Sequence, residues 1–401
     1  MHHLRLIPSL NPDAGGTVVA VELAAAELAR RGISTTITCL DAANSPWLLH
    51  SAEAADGLVK RLGLGPCRGF YGYRKGLANQ LLPLVQQADL VIIEGMWQYH
   101  ALAGWRALRR LGPAAPPYWV YPHGMLDPWF KRTYPLKHLK KWLYWPWADY
   151  RVLRDAAAVC FTSEQERLLA RQSFWLYSAR EQVLPLGVAQ PPGHNDAQLA
   201  SSQRRAFAER FPALAGQRLI LSLARLHEKK GLDLLVEAFA PLARHDPSLH
   251  LMLAGPATGP AGANLRARLE EMARRLGIER QLHLPGLLQG ELKWGALRSA
   301  EIFALPSHQE NFGIAVVEAL ACGLPVLIST AVNICAEVQA AGAGLVQPDN
   351  LAATSAALER WQALDPLARA AMGAAASRLF AERYELGASA DCLLALLGAG
   401  R

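Results

Sequence analysis

Two glutamates, Glu310 and Glu318, flank the start of a predicted helix at a spacing suited to binding a polar ligand. The stretch 305–323 leaves a buried strand, crosses a polar loop and becomes helical at about Gly313. Between the two carboxylates, the free backbone N–H groups of residues 312–314 and the positive end of the helix dipole favour an anion such as a phosphate. A nucleotide sugar would fit, with its diphosphate at the helix start and its sugar and ribose hydroxyls on the two carboxylates. The simpler alternative is that both glutamates are solvated residues of a helix start.

Two cations could bind the same anion. Arg225 follows the predicted strand 219–224, and Lys230 comes just before Gly231 and an amphipathic helix. Arginine offers a fork of donors to phosphate oxygens and lysine a point charge. The neighbouring Lys229 is interpreted as a solvated surface residue.

Near the N-terminus, Gly15 and Gly16 lie between a predicted strand and a helix over residues 18–31. Such a glycine loop at a helix start could also bind a phosphate, although any tight strand-to-helix turn can use glycines.

His123 ends the predicted strand 118–121, and Gly124 gives the backbone freedom to aim it. A lone histidine is more often structural than catalytic, and both interpretations stay open from these residues alone. Trp97 follows another strand, 89–94, at the carboxyl end where open α/β sheets bind ligands. It is either a wall of a ligand pocket or a packed tryptophan, and Asp127 is a weaker candidate for a site residue.

The glutamate pair straddles Asn-Phe-Gly and is followed by Ala-Leu-Ala-Cys-Gly-Leu-Pro-Val. This closely resembles the signature of the retaining family-4 glycosyltransferases, the group 1 enzymes of GT-B fold. The resemblance implies transfer of a sugar from a nucleotide diphosphate sugar, UDP- or GDP-linked, to a hydroxyl acceptor. It also implies three sets of site residues: catalytic His123, Arg225, Lys230 and Glu310; donor-binding Gly15, Gly16, Asn311, Phe312, Gly313, Ile314 and Glu318; and acceptor-side Trp97 and Asp127.

The chain departs from the family pattern near residue 186. Relatives usually carry Asn and a following Asp in this segment, whereas Leu186 and Ala189 stand here, which removes any polar contact that the segment might make.

The elements that must position these residues alternate strand and helix in two halves. This predicts an α/β protein with two doubly wound parallel-sheet domains that face a cleft, as in the GT-B fold. The expected boundaries are an acceptor-side domain over 1–188, a linker over 189–203, a donor-binding domain over 204–375 and a closing helix over 376–401 that crosses back to the first domain.

Composition limits the alternatives. The 401 residues are 51% hydrophobic and 19% charged, which is a globular composition, and the formal charge of +7 favours an anionic partner. No nucleic-acid motif is present, so nucleic acid is not expected as a partner. No apolar run could cross a bilayer, and Pro8 interrupts the start too early for a signal peptide, which predicts a cytoplasmic protein. Six scattered cysteines predict buried thiols without disulfides or zinc.

Residues 129–154 interleave aromatic side chains with lysines and arginines. Either a helix packs its tryptophans inside and leaves its lysines in water, or the segment lies on an anionic membrane surface, the inner face of the plasma membrane, where a polyprenyl-linked acceptor would be found.

No Asp-x-Asp element follows a strand, so no metal cofactor is expected, and protein cations must stabilise the leaving diphosphate. The expected partners are the donor and a saccharide or lipid-linked saccharide acceptor, by analogy in bacterial surface polysaccharide synthesis. The alternatives are a non-catalytic regulator that binds nucleotide sugars and a sugar-nucleotide epimerase on the same fold. A phosphorylase would need a pyridoxal-phosphate lysine site, for which the sequence gives no sign.

Overall fold

The computed structural model describes residues 1–49 and 57–399 and contains two compact units. The first unit comprises Met1–Gly187 and Leu386–Arg401, and the second comprises Val188–Glu385. Both are α/β units built on one parallel sheet, as the alternating pattern predicts. Of the predicted ranges, residues 50–56 and 400–401 lie outside the described residues.

The first unit has a seven-stranded parallel sheet in the order β3-β2-β1-β4-β5-β6-β7. The strands are β1 His2–Leu6, β2 Ser34–Ala42, β3 Val59–Gly65, β4 Leu90–Glu94, β5 Tyr118–Tyr121, β6 Ala158–Phe161 and β7 Glu181–Val183. The helices between them are α1 Gly16–Arg30, α2 Pro46–Leu49, α3 Leu77–Gln86, α4 Tyr99–Leu111, α5 Trp129–Thr133, α6 Pro135–Tyr144, α7 Asp149–Arg154 and α8 Glu164–Ala170.

Two strands of this sheet were not predicted, β3 and the short edge strand β7. Strand β3 pairs with β2 at the sheet edge, and its side chains are only partly buried, with Lys60 and Leu62 exposed. An edge strand needs no continuous apolar run, so the hydrophobic pattern that identifies the central strands is absent here. The fully buried strand predicted as the third, 89–94, is therefore the fourth.

The second unit has a six-stranded parallel sheet in the order β10-β9-β8-β11-β12-β13. Its strands are β8 Arg218–Leu223, β9 Leu249–Ala254, β10 Leu282–Gly286, β11 Ile302–Leu305, β12 Val326–Ser329 and β13 Gly344–Gln347. Its helices are α9 Ala197–Arg210, α10 Leu232–His245, α11 Gly259–Leu276, α12 Gly290–Ser299, α13 Ile314–Ala321, α14 Cys335–Ala341, α15 Leu351–Ala363 and α16 Pro366–Leu379.

The C-terminal helix α17 (Leu386–Ala399) belongs to the first unit although it follows the second in sequence. Arg31, at the end of α1, pairs with Asp391 and donates to the carbonyl of Gly387 at 2.8 Å. Leu393 is buried in the same cluster as Leu28 of α1. The closing helix is thus attached by both ion pairing and apolar packing.

Three details differ from expectation. Helix α9 occupies the second half of the range 189–203 that was expected to be linker, because Asp196 caps it by accepting from the N–H groups of Gln198 and Leu199. The basic and aromatic stretch 129–154 forms three short helices with a 3-10 turn at Trp145–Trp147. Cys392 is exposed, whereas Cys39 and Cys160 are buried.

Within residues 1–49 and 57–399, no helix is both long and apolar enough to span a bilayer.

Candidate active site

The candidate ligand site of the second unit lies where its strand order reverses, between β8 and β11. The loops that leave adjacent strands in opposite directions form a crevice at such a point. The N–H of His308, after β11, donates to the carbonyl of Lys229, after β8, at 2.8 Å. The N–H of Glu310 donates to the carbonyl of Ala331, after β12, at 3.0 Å. Loops from three neighbouring strands are therefore fixed to one another.

Within this crevice, the Lys230 ammonium is paired with the Glu310 carboxylate. Both side chains are mostly buried, with 17% and 19% of their surface exposed. Gly231 follows with φ +60°, and a Cβ on it would lie 2.2 Å from the carbonyl oxygen of Pro306. The backbone around Lys230 is therefore packed against the loop after β11, and only glycine fits at position 231.

Arg225 is exposed just beyond the end of β8, and within the described residues it makes no hydrogen bond or ion pair. Gly313, at φ +73°, precedes α13, and no side chain of the described residues caps this helix start. An uncapped helix N-terminus and an unpaired guanidinium in one crevice can both bind an anion.

The other residues of the glutamate motif have separate contacts. Glu318 of α13 accepts from Lys293 of α12 at 2.9 Å. The Phe312 side chain is buried edge-on against Tyr384, at 5.5 Å between ring centroids, so it anchors the loop. The Asn311 amide oxygen accepts from Asn333 at 3.2 Å.

The candidate site of the first unit also lies at a reversal of strand order, between β1 and β4. Glu94, the last residue of β4, is 1% exposed and is paired with Arg5 of β1. Its other carboxylate oxygen accepts a hydrogen bond from His123 Nε2 at 2.7 Å. The imidazole is the donor, since an ionised carboxylate can only accept. Burial raises the pKa of Glu94, but the charges and hydrogen bonds of Arg5 and His123 outweigh it and leave the pKa below its usual value.

His123 has an unusual backbone, with φ +50° although it is not glycine. Such a conformation costs about 1–3 kcal/mol and persists only where the surroundings enforce it. The ring stacks on Tyr121 at 5.7 Å, and the N–H of Gly124 donates to the buried carboxylate of Glu166 at 2.5 Å. The imidazole is therefore held in one orientation by Glu94, Tyr121 and the loop behind it.

In the same unit, Gly15 adopts φ +98° and ψ −155°, a region open essentially to glycine alone, and caps the start of α1. Gly16 is the first residue of that helix, and no side chain within the described ranges caps it. The strand, glycine turn and helix predicted here are all present.

Two family models match consecutive parts of the chain. A "Glycosyl transferase 4-like domain" matches residues 15–187, and "Glycosyl transferases group 1" matches residues 203–378. The chain belongs to the group 1 glycosyltransferases. The glycosyltransferase is 29% identical to a D-inositol 3-phosphate glycosyltransferase of Nocardia farcinica over 83% of its own chain and 74% of the relative. It is 31% identical to a protein of the same name from Kineococcus radiotolerans, over 61% of its own chain and 58% of the relative.

Among solved structures, the glycosyltransferase is similar to Anabaena HepE in complex with UDP and glucose. The TM-score is 0.75 at 18% identity, and 99% of each chain is covered. This likeness concerns the fold, and it agrees with the two parallel-sheet units: the fold is GT-B.

The two residues predicted for the acceptor side have structural contacts. Trp97, at φ +68°, donates through Nε1 to the carbonyl of Met125 at 3.2 Å and packs on Trp145. Asp127 is buried and accepts from the N–H of Trp129 at 2.8 Å, which shapes the turn into α5. These are the contacts expected of the packed-tryptophan alternative, and Asp127 orders the loop after His123.

Sequence reasoning missed three charged residues of this glycosyltransferase. Arg5 lies inside apolar strand β1 and Glu94 ends apolar strand β4. A charge in such a run is a signal for a buried ion pair, but its partner is distant in sequence. Lys293 is one cation of a polar helix, and no signal in the sequence separates it from solvated lysines.

No group of three or more His, Cys, Asp or Glu side chains is placed to hold a metal ion in residues 1–49 and 57–399.

Proposed function

We propose that this enzyme transfers a sugar, with retention of the anomeric configuration, from a UDP- or GDP-linked donor to a hydroxyl of a saccharide or lipid-linked saccharide. The observation that carries the proposal is the pairing of Lys230 with Glu310 beside the unpaired Arg225 and the uncapped start of α13. These groups match the two ends of a sugar diphosphate: cations and N–H groups for the phosphates, a carboxylate for the sugar hydroxyls.

In this proposal, protein groups replace a metal ion at the leaving group. Arg225, Lys230 and the helix start hold the diphosphate, with the Gly15-Gly16 loop assisting, and Glu318 accepts ribose hydroxyls. Asn311, Phe312, Gly313 and Ile314 contribute their backbone. Preorganised donors of this kind stabilise the charge that develops as the bond to the sugar breaks.

The acceptor oxygen attacks the anomeric carbon on the face that the diphosphate leaves. The new C–O bond forms as the bond between that carbon and the phosphate oxygen breaks, and the acceptor proton passes to the leaving phosphate. Glu310 holds sugar hydroxyls, and His123, fixed by Glu94, positions the sugar near the reacting carbon. This path needs no carboxylate nucleophile.

The acceptor class rests on analogy. Two curated relatives are named for D-inositol 3-phosphate, which makes a phosphorylated polyol the first soluble acceptor to test. A lipid-linked saccharide at the inner face of the plasma membrane, in bacterial surface polysaccharide synthesis, is the acceptor that the basic and aromatic segment 129–154 favours.

The test is a two-stage assay. Calorimetry with UDP, GDP, ADP and dTDP, each with magnesium and with chelator, identifies the base. Transfer from the corresponding UDP- or GDP-sugar to inositol phosphate, free saccharides and polyprenyl-linked saccharide is then followed by NMR of the anomeric proton. We expect metal-independent binding of one nucleotide and a product with the donor's anomeric configuration.

Other outcomes would contradict the proposal. Binding without any turnover would indicate the regulator. A change of sugar configuration while the sugar is still attached to the nucleotide would indicate the epimerase. An inverted product would refute same-face attack, and full loss of binding under chelator would refute metal independence.

A further inference from the structure

Helix α6 exposes its apolar side chains to solvent. Leu136, Leu139 and Leu143 follow one another at helical spacing, and 78%, 54% and 62% of their surfaces are exposed. The rings of Trp142 and Trp175, which are also exposed, lie 6.0 Å apart. We call these five residues the α6 patch.

The same helix turns polar side chains toward the protein. The Lys141 ammonium lies 4.4 Å from the ring centroid of Trp97 and 5.6 Å from that of Phe130. Burial lowers the pKa of Lys141 to about 8. The His138 ring stacks on Phe174 at 4.8 Å. A helix that packs on a core in water has the opposite arrangement, with leucines inside and lysines outside.

A cavity of about 470 Å³ adjoins the α6 patch. It is lined by Pro135, Leu139, Trp142 and Trp175 and by the polar residues Lys131, His138 and Ser173. An apolar recess with a cationic neighbour suits an acyl or prenyl chain attached to a phosphate.

The charged side chains of residues 128–148 all have one sign. Lys131, Arg132, Lys137 and Lys140 are all exposed, and no aspartate or glutamate occurs in residues 128–148. Leucines that can enter the acyl boundary, tryptophans that suit the headgroup level and cations around them are the features of helices that lie in an anionic membrane interface. A protein partner would not require this combination of interfacial aromatic rings with uniformly positive flanks.

The patch is also connected to the site of the first unit. Helices α5 and α6 follow directly on the loop that carries His123, and Lys141 packs on Trp97, three residues after Glu94. A surface bound at α6 would therefore lie near the part of the chain proposed to meet the acceptor.

We propose that α6 lies in the headgroup layer of an anionic bilayer, with Leu136, Leu139 and Leu143 inserted and the flanking lysines and Arg132 on lipid phosphates. The inference rests on the proposed function for its lipid-linked acceptor, but the docking surface itself is independent of the donor site. Trp142 and Trp175 stand at the headgroup level, and the recess between them receives a lipid chain.

The test is flotation of the full-length protein with vesicles of phosphatidylcholine, with and without phosphatidylglycerol, at low and high salt. We expect binding only with phosphatidylglycerol, weakened by salt because exposed charges are screened. The combined change Leu136→Ser, Leu139→Ser and Leu143→Ser removes exposed side chains, so the fold is kept. It should reduce vesicle binding by roughly a hundredfold or more, since each inserted leucine contributes separately.

Matched controls are Leu287→Ser and Leu367→Ser, which replace leucines of similar exposure in the second unit. They should bind vesicles as the wild type does. A second variant, Lys137→Glu with Lys140→Glu, should lose binding to anionic vesicles by a similar factor.

Several results would overturn the proposal. The first is vesicle binding by the wild type that does not depend on phosphatidylglycerol, and the second is equal vesicle binding by the triple serine variant. The third is absence of vesicle binding together with a changed oligomeric state in the triple serine variant, which would assign the patch to contact with a second protein chain. Nucleotide calorimetry without vesicles separates the two proposals. If the wild type binds a nucleotide but no vesicles, only the membrane surface is refuted. If it binds vesicles but no nucleotide, only the proposed function is refuted.

Discussion

The ion pair between Lys230 and Glu310 leads to a prediction in which its two partners have opposite effects. Without ligand, the ammonium neutralises the carboxylate, and both side chains are more than four-fifths buried. In the proposed function, the same ammonium also faces the phosphates when a diphosphate binds. Removing the lysine should therefore weaken nucleotide binding, whereas removing the charge of the glutamate should release the lysine for the phosphates.

The magnitude follows from the contact that is lost. A hydrogen bond to a charged group contributes about 1.5–3 kcal/mol. Since about 1.4 kcal/mol corresponds to a factor of ten, Lys230→Ala should raise the Kd for the nucleoside diphosphate by roughly tenfold to a hundredfold. Glu310→Gln should leave that Kd unchanged or lower it, while kcat with the sugar nucleotide falls, because the sugar loses its carboxylate.

The assay is calorimetry with the nucleotide that wild type binds, alongside transfer kinetics. The matched control is Lys229→Ala, which removes the same charge one residue earlier in the same 3-10 turn. Thermal unfolding of each variant shows whether the fold is kept, and the double variant completes a cycle that measures the coupling of the pair. If both single variants weakened nucleotide binding equally and lowered the melting temperature equally, the pair would be purely structural and the assignment would fail.

Three further predictions concern fold and pH. Glu94→Gln should lower kcat more than it raises KM, because His123 loses its charged acceptor. The measurement is the pH profile of kcat, which should shift; an unchanged profile would exclude a positioning role for Glu94. Gly231→Ala should cost at least about 2 kcal/mol, since its Cβ would meet the carbonyl of Pro306 at 2.2 Å, and urea unfolding measures the loss. Burial raises the pKa of Asp149 to about 7 from its ordinary value near 4. The native state then binds more protons than the unfolded state between these values, so the free energy of unfolding falls as pH rises through that window. Asp149→Asn should abolish this slope and stabilise the protein above pH 7 by on the order of 4 kcal/mol.

The central elements of both sheets could be predicted from the sequence. Strands β4, β5, β11 and β12 are buried on both faces, so each is a short apolar run, and the loops and helix starts that follow them are marked by glycines and polar residues. Edge strand β3 and helix α9 were missed because half-exposed elements lack that pattern.

The glutamate motif, Arg225, Lys230 and His123 were predicted from local patterns, because each stands at the end of a strand and the ends of parallel strands meet at one edge of a sheet. The sequence by itself therefore determined the fold class, the family and the residue types at the candidate site. Only the tertiary structure decided which charges are paired: Lys230 with Glu310, Lys293 with Glu318, and Arg5 with Glu94 and His123. It also decided that α6 directs its leucines outward and Lys141 inward. Ion pairs and the orientation of a helix depend on residues that are distant in the chain, so no local spacing encodes them.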